Sequence, residues 1–127
     1  MTGRTQATDE AVALAATALP DAYGSWASAE IPCKGHEWVT TQMTTVYSSA
    51  TSIEVKMQQR ASGGTWRDVR KAPEGVGALD ELTEATGGAA LNITHQWFVG
   101  PFNFVRFLAK RTGGSASDTL AMDWSGV

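Results

Sequence analysis

The chain has a single cysteine, Cys33, so no intrachain disulfide can form and no cysteine-based zinc site can be assembled. That usage fits a polypeptide that folds in a reducing compartment. There are two histidines, His36 and His95, and neither stands in a spacing that suits a metal or activates a nucleophile. Both read as structural residues. No Gly-x-Ser-x-Gly elbow is present, and the serines have no histidine and aspartate in a recognisable context. Acyl transfer therefore has no support, and no catalytic residue, cofactor site or metal site is assigned.

Long apolar runs are also missing. No stretch approaches the roughly 20 residues needed to cross a bilayer as a helix. The apolar run from Ala11 to Leu19 follows Asp9 and Glu10, whereas a secretory leader begins with positive charge. Neither a signal peptide nor a membrane partner is expected. The ten basic residues are scattered and the formal charge is −3, so the chain lacks the clustered cations that neutralise phosphates. Nucleic acid is not an expected partner.

What is present is β-sheet patterning over 127 residues, a length suited to one domain. From Ser52 to Arg60, Ile53, Val55 and Met57 alternate with Glu54, Lys56 and Gln58, the period of a half-buried strand. The turn Ala61 to Thr65 contains two glycines, and Trp66 to Val69 resumes the pattern, so a hairpin is predicted. A second hairpin is predicted from Ala89 to Phe98 and Phe102 to Lys110 around Val99-Gly100-Pro101, its second arm central and covered on both faces. Leu120, Met122 and Trp124 alternate in a last strand, Asp118 to Ser125. Trp38 to Tyr47 is a further strand, with Val39, Thr41, Met43, Thr45 and Tyr47 as its inner row.

Ser25 to Ile31 reads as a strand ended by Pro32, and Val12 to Ala18 as a strand or a short helix. The Lys71 to Gly88 segment reads as a long exposed loop with one helical turn around Leu79 to Ala85. Its acids Glu74, Asp80, Glu81 and Glu84 match no EF-hand spacing and are taken as solvated loop residues. The predicted fold is all-β, a two-sheet antiparallel sandwich of jelly-roll type with seven or eight strands, over residues 11–127. Residues 1–10 are small and polar and read as a flexible arm.

Five tryptophans admit two readings, core or contact platform. Trp66 and Trp124 lie beside alternating apolar positions and are assigned to the core, while Trp26 and Trp38 stay open. Arg106, between Phe104 and Leu108, is read as a half-buried cation paired with an acid.

The stretch Ser52 to Val69, with its Ser-Gly-Gly-Thr-Trp turn, and the stretch Phe104 to Lys110 with the strand after it resemble paired hairpins of small sandwich modules. Similar pairings occur in discoidin-like carbohydrate-binding modules and in small structural proteins of tailed bacteriophages. The phage resemblance implies a non-enzymatic virion protein made in the host cytoplasm, a head decoration or cement protein, forming homo-oligomers on the major capsid protein or another virion protein. Its partner-binding residues would be Thr2, Arg4 and Thr5 of the arm with Trp26 and Trp38. The alternative is a carbohydrate-binding module, or a tail or neck component in host recognition, that stacks glycans on exposed tryptophan.

Overall fold

The computed structural model describes residues 9–47, 49–70, 80–86, 89–115 and 117–127. Among them are nine strands in two sheets: β1 (Asp9–Ala18), β2 (Ile31–Pro32), β3 (Trp38–Thr45), β4 (Ala50–Arg60), β5 (Arg67–Asp68), β6 (Glu81–Ala85), β7 (Asn92–Phe98), β8 (Phe104–Gly113) and β9 (Thr119–Gly126). Sheet A has the order β1-β9-β3-β7, and sheet B the order β2-β8-β4-β5, with β6 also pairing β4. Every pairing is antiparallel. The two sheets pack face to face as a sandwich, and most successive strands lie in opposite sheets, which is the jelly-roll arrangement.

The strongest period-two segments form the core. Across the ladder Val55 and Met57 of β4 stand opposite Ala109 and Phe107 of β8, and with Ile53 and Val105 on the same inner face all six are buried. Leu120, Met122 and Trp124 of β9 and Val39 and Met43 of β3 close over them from sheet A. Burial of each large side chain contributes about 1.5–3 kcal/mol. Thr41 is fully buried in this layer because its hydroxyl has work there: Trp97 Nε1 donates to Thr41 Oγ1 at 2.9 Å. The inner row of β3 stops at Thr45, and Tyr47 is exposed.

β8 is central as predicted, but its outer-face Phe104, Arg106 and Lys110 are only half-buried, and it does not form a hairpin with β7. β7 pairs β3 in sheet A, and β8 pairs β4 and β2 in sheet B. The Val99 to Asn103 connection crosses the end of the sandwich because its anchors lie in both layers. The buried Val99 donates its N–H to the Glu37 carbonyl, Phe102 N–H closes a turn on Val99, and the Asn103 carbonyl accepts from Cys33 N–H.

The helical turn predicted around Leu79 to Ala85 is also replaced, since Glu81–Ala85 is strand β6. Its alternation turns Leu82 onto the core while Glu81, Thr83 and Ala85 are exposed, and β4 supplies a free edge to pair with. The remainder of that loop, 71–79, lies outside the described residues. β1 is the strand alternative of the open N-terminal reading and starts at Asp9, so the last two residues assigned to the arm are in sheet A. The Ser25 to Ile31 segment contributes a bridge at Ala27 to Leu108 and then β2, which includes Pro32 at the sheet edge, where no ladder donor is needed.

Cys33 is buried, and burial pushes its thiol up to about 11 even though a backbone hydrogen bond from Val105 opposes the shift. Folded protein at pH 8 is therefore expected to leave this thiol unlabelled by a chromogenic disulfide reagent, with labelling of Cys33 appearing once denaturant is added.

Candidate functional site

The two outer faces of the sandwich differ in chemistry. None of the four strands of sheet A contains a lysine or arginine. Because Val39, Thr41, Met43 and Thr45 point inward, Trp38, Thr40, Gln42 and Thr44 form the outer row of β3. Across the β7 ladder they stand opposite Phe98, Gln96, Thr94 and Asn92, and across β9 opposite Ser125, Asp123 and Ala121. Apart from the Asp123 carboxylate, the polar groups of these rows are amides and hydroxyls. Thr44 Oγ1 donates to Asn92 Oδ1 at 3.2 Å among them.

Two features interrupt this polar face. At one end Trp38 and Phe98 meet edge to face, centroids 5.3 Å apart at 65°, and remain 41% and 46% exposed. Gly100 makes this possible, since a Cβ there would sit 2.9 Å from the Phe98 ring. Phe98 also borders a groove of about 950 Å³ at the sandwich end, with Pro32, Lys34, Pro101 and Phe102 among its walls. Toward β1 lies a smaller hollow of about 350 Å³, lined by Glu10, Val12, Gln42 and Asp123 among others.

Sheet B presents the opposite character. Lys56 Nζ lies 3.0 Å from Asp68 Oδ1, Lys110 Nζ 3.5 Å from Glu54 Oε2, and Arg60 pairs with Glu30. Tyr23 lies over this ladder, its ring 4.6 Å from Lys56 Nζ and 5.0 Å from Lys110 Nζ. Burial, with the charges of Glu81 and Glu54, drives the Tyr23 hydroxyl well above its ordinary range. Such a charged layer is costly to strip of water, whereas a face with no basic residue, few acids and aromatic anchors resembles the depleted-charge centre of protein interfaces. The outer face of sheet A is the candidate binding surface.

Of the partner-binding residues read from the sequence, Trp38 lies on this surface. Trp26 does not. It is fully buried, its Nε1 donating to the Leu120 carbonyl at 3.0 Å, so its indole belongs to the core and cannot meet a partner in this fold. Thr2, Arg4 and Thr5 lie outside the described residues. Phe98 was missed because it closes a strand read as half of a hairpin, where it would have been covered. Trp124 is core as assigned, but Trp66 is only partly buried and carries Arg60 and Arg106 against its ring. Arg106 has the neutral Gln58 as its partner, not an acid.

His36 is buried edge-on to Trp124, and the half-buried His95 packs edge-on to Trp97 at 4.6 Å. Among the described residues no group of three or more histidine, cysteine, aspartate or glutamate side chains could hold a metal ion. No helix among them is long and apolar enough to cross a membrane.

Fold and surface together define a small all-β sandwich with one face whose strands lack basic residues and which carries an exposed aromatic pair. The sequence matches no protein-family model and no curated protein. Among solved structures the chain is similar to the SPBc2 prophage-derived protein YomS, at TM-score 0.56 and 14% identity, over 100% of both chains. It also overlays on a CBM4 structure at TM-score 0.49 and 13% identity, over 87% of this chain and 68% of that one. The likeness to the prophage-derived protein is one of fold.

Proposed function

We propose that this protein is a non-enzymatic structural component of a tailed-phage virion, a decoration or cement protein of the head, that docks on the major capsid protein through the outer face of sheet A. The observation that carries the reading is that face: four strands without a basic residue, ending in the exposed pair Trp38 and Phe98. The end-to-end fold likeness to a prophage-derived protein supports the virion context. A jelly roll is also a common architecture of capsid domains. A cement protein that binds the assembled lattice better than free subunits stabilises the shell by linkage, and attachment as a homo-oligomer multiplies that effect.

The test is co-sedimentation of purified protein with emptied, expanded capsids of the phage that encodes it. Saturable binding at a symmetry-related copy number is expected. Trp38→Ala is expected to weaken it by about 30-fold, the scale of an interfacial hot spot, while moving the thermal midpoint little because the indole is half in water. Absence of binding to any capsid lattice overturns the reading.

Glycan recognition is the second reading, favoured by the amides and hydroxyls beside an exposed indole. Binding on a broad glycan array that is lost in Trp38→Ala, with no capsid binding, would select it.

A further inference from the structure

On the outer face of sheet B, Lys56, Lys110 and Arg60 each have a carboxylate partner. Arg106 is the exception. It sits on the central strand β8 opposite Gln58, and its Nε donates to Gln58 Oε1 at 2.9 Å. Among the described residues no carboxylate lies within ion-pair distance of it, and its Nη groups make no hydrogen bond. The amide is not free to turn, since Gln58 Nε2 donates to Asp68 Oδ1 at 2.9 Å, and Asp68 is in turn held by Lys56. A chain of contacts from Lys56 through Asp68 and Gln58 therefore fixes the guanidinium by one of its edges.

Its environment is aromatic. The Arg106 guanidinium lies 4.7 Å from the Trp66 ring centroid, and Arg60 lies 5.3 Å from the same centroid and 4.8 Å from that of Phe104. Burial works against the Arg106 cation, lowering its pKa. A half-buried guanidinium backed by indole, with its fork of donors unused, is matched by a planar anion that can accept two parallel hydrogen bonds.

We propose that Arg106, backed by Trp66 and preset by Gln58, is a receptor for the carboxylate of an aspartate or glutamate side chain on an acidic segment of a partner protein. Charge complementarity selects that occupant. Among the described residues the neighbouring cations Lys56, Arg60 and Lys110 are already neutralised in pairs, so one unmatched charge is offered, which suits one carboxylate of an acidic segment at a time and gives a phosphate chain nothing further to grip. The site is on the opposite face of the sandwich from Trp38, and it stands apart from the capsid-docking reading.

The experiment is titration of the isotope-labelled protein with a hexaglutamate peptide, following the Nε–H resonance of Arg106 and the indole N–H of Trp66. Saturable shifts at both are expected. Arg106→Lys keeps the charge but loses the fork, and is expected to weaken binding at least about tenfold, while Arg67→Lys leaves it unchanged. Gln58→Glu supplies the missing carboxylate from within the chain and is expected to abolish peptide binding, which keeps the test decisive if Arg106→Lys is poorly folded. Failure of either resonance to move overturns the proposal, as does equal affinity in Arg106→Lys or Gln58→Glu. Inorganic phosphate that saturates the same resonances more tightly than the peptide also overturns it. Because the peptide assay involves no capsid, its failure leaves the docking of sheet A untouched, and the reverse holds.

Discussion

Replacing Asp118 with alanine is expected to lower the unfolding free energy by about 3–4 kcal/mol, read as a fall in the urea midpoint at unchanged slope. The side chain is fully buried just before β9 and has no cation within ion-pair distance among the described residues. It is held by donors: Ser49 Oγ at 2.8 Å, Ser115 N–H at 3.2 Å, and the backbone amides of Ser49 and Ala50. One carboxylate thus ties the turn before β4 to the turn after β8, and the Asp118 carbonyl accepts from Leu19 N–H as well. The packing around it is tight. At Gly114, whose φ of +71° already disfavours a side chain, a Cβ would come within 2.6 Å of Ala50 N and would run into the carboxylate itself.

Alanine strands these donors away from water, and each buried orphan costs about 1–3 kcal/mol. The effect has a defined pH dependence. Burial alone would raise the Asp118 carboxyl, but the hydrogen bonds from Ser49, Ser115 and Ala50 outweigh it and hold the group below the ordinary carboxylate range. A depressed folded-state pKa contributes stability that is complete above the unfolded value of about 3.9 and is lost as pH falls through the folded value. The gap between wild type and Asp118→Ala is therefore expected to be constant from pH 6 to 8 and to narrow below about pH 4. A gap that persists unchanged in acid would mean that the carboxylate is held by shape alone.

Asp118 also shows where sequence reading reaches its limit. Its strand was legible because Leu120, Met122 and Trp124 alternate, yet nothing in the pattern marks the residue before Thr119 as a buried clasp. β4, β8 and β3 were legible for the same reason: period-two burial is written into consecutive residues. Sheet membership is not. Whether β8 returns beside β7 or crosses to the other sheet depends on Glu37 and Cys33, some sixty residues away, which anchor the connection. Similarly β6 looked like a helical turn because Glu-Leu-Thr-Glu-Ala has helix formers, and the waiting edge of β4 overrode that preference.

The candidate site was legible in part. Trp38 heads a strand whose alternate residues are apolar, so its outward direction follows once the strand is placed. That the whole face lacks basic residues follows only after β1, β9, β3 and β7 are known to be neighbours. Arg106 was recognised as half-buried, but its partner could not be read, because the residue opposite it depends on the β4–β8 register that sets Gln58 there. Trp66 lies outside the core for a related reason. It falls in the turn region before the two-residue strand β5, over the outer face, where Arg60 and Arg106 use its ring.

Trp26→Ala is expected to remove about 4 kcal/mol of stability, whereas Trp38→Ala changes it by less than about 1 kcal/mol. Trp26 stands in a segment with little strand of its own, between Gly24 and the single bridge at Ala27, so no periodicity announces its direction. Its fate is set by what lies on either side. The Trp26 carbonyl accepts from Ala109 N–H of β8 in sheet B, and its indole N–H donates to Leu120 of β9 in sheet A. The ring thus spans the two layers where a connection crosses between them, and deleting it opens a cavity the size of an indole and takes from the Leu120 carbonyl the indole N–H that it accepts. Trp26→Phe separates the two effects, since it retains most of the volume and loses the hydrogen bond, with an expected cost of about 1–2 kcal/mol. Urea unfolding of the three variants, followed by far-ultraviolet circular dichroism, makes the comparison. If Trp26→Ala unfolded at the wild-type midpoint, the segment would not be carrying the join between the sheets, and the indole would have to be reconsidered as a contact group like Trp38.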